Sequence, residues 1–244
     1  MLTPTHRSDK ASAFARTLAS EASFVATESS LPAGAPSSTY SSTLSPSLRS
    51  DLQRFADDPA QNGLLAALAA SVRHARPLSL HLRSGTYESL LSVFPREQLF
   101  HCFMGLCALP VREFAALRLQ HVEPAEPLDA LSTSMTSTLA SRLESLGPLL
   151  WRLAIHGASS ELLPEIVGPA RYRLSLGFSL SGLPVDSAAL PILRCLREQP
   201  ATLDELADAT ALGPDGARRL LNALYLQSGL MVTRSLPTRW FGRS

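Results

Sequence analysis

The stretch TLDELADATALGPDGARRLLNALYLQSGL, Thr202 to Leu230, leaves fewer folding options than any other part of the chain. Thr202 and Glu205 stand three residues apart, so hydroxyl and carboxylate can each satisfy the other's free backbone N–H and start a helix at Leu203. Ala-Leu-Gly-Pro then turns the chain, and Pro214 falls where the first turn of another helix tolerates a residue without an N–H. In that helix Ala217, Leu220, Leu221 and Leu224 share one face, and Gly229 supplies the stop. Upstream, ALPILRCLREQP spaces Leu190, Ile192, Leu193 and Leu196 for a helix that ends at Pro200. Downstream, LMVTRSLPTRWF suits a short returning hairpin.

Three helices and a hairpin over residues 187–236 resemble a winged helix-turn-helix. The pattern is also similar to the winged-helix tails of bacterial regulatory and signalling proteins, where the domain serves for packing or protein contact. If such a domain reads DNA, its third helix enters the major groove, which would put Asp215, Arg218, Arg219 and Asn222 at base edges. Arg218 and Asn222 suit guanine and adenine, while Arg234 and Arg239 in the wing would meet phosphates. Charge argues the other way. Residues 186–244 hold seven arginines against six carboxylates, one net positive charge, whereas phosphate attraction supplies much of DNA affinity. The outward stripe also continues to Tyr225 and Leu226, and arginine with tyrosine is favoured at desolvated protein interfaces. A protein partner is therefore expected, a second copy of the chain included, with nucleic acid as the alternative.

The remainder divides by composition. Residues 1–48 are rich in Ser, Thr, Ala and Pro and read as a disordered leader, although Phe14, Leu18 and Phe24 share a side if a helix forms transiently. Residues 49–183 read as an α+β domain, and 184–244 as the winged-helix-like module. SDLQRFADD and NGLLAALAASVRHARP have helical spacing, and Arg73 and Arg76 complement the carbonyl end of the second helix. After Pro77 the period changes to two: Leu78, Leu80 and Leu82 alternate with Ser79, His81 and Arg83. YESLLSVFP and EQLFHCFMG continue an antiparallel meander with one face on a core. PVREFAALRLQHVEP suits a helix or a helix passing into a strand. Leu131, Met135, Leu139, Leu143 and Leu146 mark one long helix from Pro127, stopped by Gly147-Pro148, with a second in LLWRLAIHG. RYRLSLGFSLSG reads as a short strand. The fold class expected is α+β: a small central antiparallel sheet with packed helices, then a winged-helix-like helical module.

Chemistry-bearing motifs are few. His101, Cys102 and Cys107 have the residue types zinc prefers, but the two cysteines are five apart with no second ligand pair. GFSLSG only approximates the elbow that activates a nucleophilic serine, which leaves a hydrolase centred on Ser179 as a third and weaker reading. Glu123, Glu126 and Asp129 lie in a Pro-rich connection and read as solvated. Phosphate loops, His-Glu-x-x-His and calcium loops are missing. The expectation is a non-enzymatic adaptor with no catalytic residue, metal or cofactor. The 22 basic residues balance 21 acidic ones, and only Lys10 is lysine, a usage that resembles a GC-rich bacterial genome. Three cysteines without framework spacing suit a reducing cytoplasm, and apolar runs too short for a bilayer predict no membrane span.

Overall fold

Leu78, Leu80 and Leu82 turn inward from β1 (Leu78–Ser84) and are all but completely buried, while His81 and Arg83 face out. The structure, a computed structural model, describes residues 45–57, 59–85, 87–103, 105–130, 143–208 and 211–234. By its contacts the chain divides into residues 1–44 and 45–244, and the described elements all belong to the second unit. β1 pairs antiparallel with β2 (Tyr87–Phe94) across a turn where Gly85 takes a left-handed φ of 62°. β3 (Leu99–Cys102) pairs with β2, so the meander expected from the sequence is present. β4 (Arg118–Pro124) adds to the far side of β1, preceded by the short helix α3 (Val111–Ala115). β5 (Leu143–Ser145) adds to β3, giving the strand order β4-β1-β2-β3-β5. Between His81 and Leu82 the pairing with β4 shifts register. Gln120 is the extra residue, and it and His121 both turn outward.

The chain becomes helical earlier than composition suggests. Ser45 caps α1 (Pro46–Asp57): its Oγ accepts the Leu48 N–H at 3.3 Å, and Leu48, assigned above to the leader, is fully buried. Proline in the first turn of a helix explains the difference, since Pro46 begins this one. α2 (Pro59–His74) breaks at Gly63, φ 62°, before its leucine face begins at Leu64. Its end is tied to α1 by Arg73 and His74, both on the Asp51 carboxylate, and Arg73 also meets Glu165.

The long helix expected to stop at Gly147-Pro148 is a second correction. Residues 131–142 lie outside those described, but Leu143–Ser145 is strand β5, and α4 (Leu146–His156) begins where the stop was expected. Gly-Pro can close a helix or open one, because proline lacks only an N–H that the first turn does not use. α4 buries Leu146, Leu149, Leu150, Trp151, Leu153 and Ala154.

A short strand, β6 (Ala170–Leu174), follows a long connection, and three further helices complete the described chain: α5 (Leu190–Glu198), α6 (Leu203–Asp208) and α7 (Gly213–Leu226). α7 packs along α4 and α6. The capping box forms as expected, the Thr202 N–H donating to Glu205 Oε2 at 2.8 Å and the Glu205 N–H to Thr202 Oγ1 at 3.3 Å. β7 (Leu230–Arg234) pairs with β6, some sixty residues upstream; the residues after Arg234 that would complete the expected hairpin lie outside those described. On the other edge of β6, Ala201 exchanges two backbone hydrogen bonds with Tyr172. One apolar core runs from Leu64 to Leu226, with no break at the boundary expected near Pro184. The Trp151 indole N–H donates to the Pro184 carbonyl across it. Seven α-helices and an α+β architecture are thus present among the described residues.

The end of α7 shows how closely the packing is fitted. Ser228, not Gly229, takes the left-handed position (φ 56°), its N–H bonding Tyr225 O while the Gly229 N–H bonds Leu224 O. Gly229 is needed for space instead. A Cβ built there would lie 2.7 Å from the Phe178 ring. Gly229→Ala should therefore cost about 1–3 kcal/mol of stability in urea unfolding, and Phe178→Leu in the same chain should recover part of that loss.

Candidate functional site

The sequence points to one face of α7 with its flanking strand, and the structure turns most of that face inward. Asn222 is 0% exposed. Its Nδ2 donates to Glu161 O at 2.7 Å and its Oδ1 accepts the Leu163 N–H at 2.9 Å. Leu226 is 4% exposed and Tyr225 is half-buried against the core. Arg219 donates to the carbonyls of Ile155 at 3.3 Å and Gly157 at 2.8 Å, at the end of α4, where a cation also offsets the helix dipole. Arg234, on β7, is exposed but donates to Glu165 O at 2.8 Å. Arg218 pairs with Asp215 one turn back on its own helix, at 2.7 Å. Arg239 lies outside the described residues. The outward placement expected for Asn222 and Leu226 is thus corrected.

Three of these side chains, Arg219, Asn222 and Arg234, share a destination. Residues 157–169, between α4 and β6, contain no helix or strand, and an irregular segment leaves backbone N–H and C=O groups without ladder partners. Arg219 takes the Gly157 carbonyl at its start, Asn222 the Glu161 carbonyl and the Leu163 N–H in its middle, and Arg234 the Glu165 carbonyl. The Tyr172 hydroxyl closes the series by donating to Ile166 O at 2.7 Å. Of the stripe read from the sequence, Arg219 and Asn222, together with Arg234 on β7, are in three dimensions polar clasps on one connection.

The remaining motifs assemble no reaction centre. Ser179 Oγ accepts the Ser181 N–H at 3.2 Å, a local turn, and among the described residues no imidazole bonds it. Cys102 is buried with Ser89 at 3.4 Å. Cys107 has its thiol pushed up to about 11 by desolvation and by the neighbouring Glu144 carboxylate, so it is protonated at neutral pH. No group of three His, Cys, Asp or Glu among the described residues is arranged to hold a metal ion. A cleft of about 420 Å³ lies between α2, β4 and the end of α4, lined mainly by leucines, Phe114 and Arg118. The Arg118 guanidinium turns back to the carbonyls of Ala115 and Leu117 rather than into the space.

A surface missed from the sequence lies on the open face of the five-stranded sheet. His121, His81 and Leu90 stand directly opposite one another across β4, β1 and β2. Phe103 follows on the next rung after the Leu91–Cys102 pair, with its ring 4.7 Å from His101 in a T-shaped contact. Leu90 is 36% and Phe103 69% exposed, and the His81 and His121 rings lie 5.6 Å apart. The available signal was Leu90-Leu91: two adjacent leucines in a strand must face opposite ways, so one of them faces solvent.

No protein-family model, curated protein or solved structure matches this chain.

Asn222→Ala should cost about 1–3 kcal/mol, the penalty for leaving a buried N–H and C=O unpaired, read as a lower urea midpoint. The capping box adds a pH dependence. The Thr202 N–H and then Arg171 hold the Glu205 carboxyl below its ordinary value of 4.5. A depressed carboxyl contributes stability that is full above the unfolded value and is lost as pH falls through the folded one. Glu205→Gln should therefore flatten the acid limb of a thermal-stability profile below about pH 4.5, while leaving the neutral region nearly parallel to wild type.

Proposed function

We propose that this chain is a non-enzymatic regulatory or assembly adaptor of bacterial type, acting in the reducing cytoplasm by protein contact. In it α5, α6, α7, Ala201 and β7 form a winged-helix-like arrangement that serves as scaffold rather than as reader. The observation that carries this is the commitment of Asn222, whose carboxamide spends its amide group and its carbonyl on Glu161 and Leu163 with no surface exposed. An adenine-reading amide must present both groups to a groove. Arg219 is engaged on the same connection, which leaves the DNA-regulator alternative with Arg218, paired with Asp215, and Arg234, exposed but donating to Glu165 O, among the described candidates. Support for protein contact comes from large apolar side chains left in solvent. Leu90 and Phe103 lie on the sheet, and Val167, Leu176, Leu190 and Met231 on the C-terminal part.

A duplex titration separates the two readings. The full chain should give no salt-sensitive shift of random-sequence DNA at micromolar concentration. A shift that weakens steeply with salt and is lost in Arg218→Ala/Arg234→Ala would overturn the adaptor reading.

A further inference from the structure

We infer that the open face of the five-stranded sheet is a self-association surface, and that the partner it fits is a second copy of this chain related by a two-fold axis. This rests on the protein-contact reading above and names its partner. Consider an axis lying over the sheet, parallel to the strands and midway between β1 and β2. Rotation by half a turn lays β1 of one copy over β2 of the other at the same height along the strand, because both strands keep their position along the axis.

Each cross-strand pair then meets its own reverse. Arg83 and Glu88 are paired across β1 and β2 and both exposed, so Arg83 of each copy falls over Glu88 of the other, forming two ion pairs. Within one chain Arg83 donates through Nε to Gly85 O. Neither it nor Glu88 takes part in an ion pair among the described residues. One rung on, His81 opposes Leu90, so imidazole falls on leucine. Outside them, His121 falls towards Phe103, ring on ring. The rung beyond closes the surface, because Ser79 is buried and its hydroxyl lies 3.4 Å from that of Ser92. Acid therefore meets base at the Arg83–Glu88 rung, and ring meets apolar or aromatic side chain at the His81–Leu90 rung beside it, the self-complementarity an isologous interface requires.

Sheets stacked face to face lie about 10 Å apart and within about 30° of parallel, so the pairing holds near the axis and loosens towards the edges. Strands about 4.8 Å apart and rungs about 7 Å apart give a patch on the order of 400 Å² per copy. That is about 800 Å² in total, below the size of stable interfaces and in the range of weak, transient ones, so the dimer should be weak.

Sedimentation velocity of the full chain from about 1 to about 200 µM tests this, and a concentration-dependent monomer–dimer shift is expected. Phe103→Asp should weaken the dimer at least about tenfold while circular dichroism and Tm stay near wild type, because the side chain is largely in solvent already. The decisive arm uses charge. Arg83→Glu and Glu88→Arg should each abolish the homodimer, one by acid on acid and the other by base on base. An equimolar mixture of the two variants should restore a dimer, which only a pairing of 83 with 88 between copies predicts. A wild-type chain that stays monomeric to about 200 µM overturns the inference and leaves the adaptor reading standing on its own DNA titration. So does a dimer indifferent to Phe103→Asp, or a variant mixture that does not associate.

Discussion

The connection between α4 and β6 is where the fold is held together, and the clasp on it is Asn222. Residues 157–169 pass between the sheet half and the helical half without a ladder of their own, yet Leu163 and Ile166 on them are buried in the common core. Burying such a segment is tolerable only when its peptide groups are paired. A neutral amide does this more economically than a charge, because it supplies a donor and an acceptor and carries no ionic desolvation penalty. The two arginines work at the edges of the same connection, where their guanidinium groups keep contact with water. Because every partner atom is a backbone carbonyl or N–H, the arrangement depends little on which side chains the connection carries. It depends strongly on α7 being in place.

Local chemistry was legible wherever it is self-contained. The Thr202–Glu205 box, the alternation of β1 and the leucine face of α7 could be read directly because each needs only residues a few positions apart. What could not be read is which way an element faces once a second surface buries it. α7 has leucines on one side and Asn222, Tyr225 and Leu226 on the other. The inference that the second side is outward assumed a helix covered once. A helix apolar nearly all round is a covered one, and with Ala223 and Leu226 counted, that was the pattern present. Asn222 is then the polar exception inside a buried face, the kind that needs dedicated partners.

The same limit explains Gly147-Pro148 and β7. Proline's lost N–H marks a helix boundary without its direction, and only the pairing of Leu143–Ser145 with β3 shows that a strand precedes it. For β7, the pairing that the structure describes is with an edge far upstream, because strand pairing is decided by which edge is available and covered by the core. β6 offered one, with Tyr172 buried beside it. The sheet face is legible in a weaker sense. Alternation says that His81, Leu90 and Arg83 point away from the core. It does not say what they meet, since the period of two specifies a side and never an occupant.

Whether α7 could open to a groove is a question of magnitudes. Freeing it as a reader means breaking the two Asn222 bonds and those of Arg219, each net about 1 kcal/mol, and exposing Leu226, worth about 2 kcal/mol. About 6 kcal/mol in all, at about 1.4 per decade, puts the open state below about one molecule in ten thousand, and apparent affinity falls by the populated fraction. Specific complexes exceed non-specific ones by about 10³ or more, so the opening would consume the whole of a modest specificity margin. A helix-turn-helix in sequence is therefore a statement about packing first. It becomes a statement about DNA only if its third helix has a face the rest of the chain does not already use.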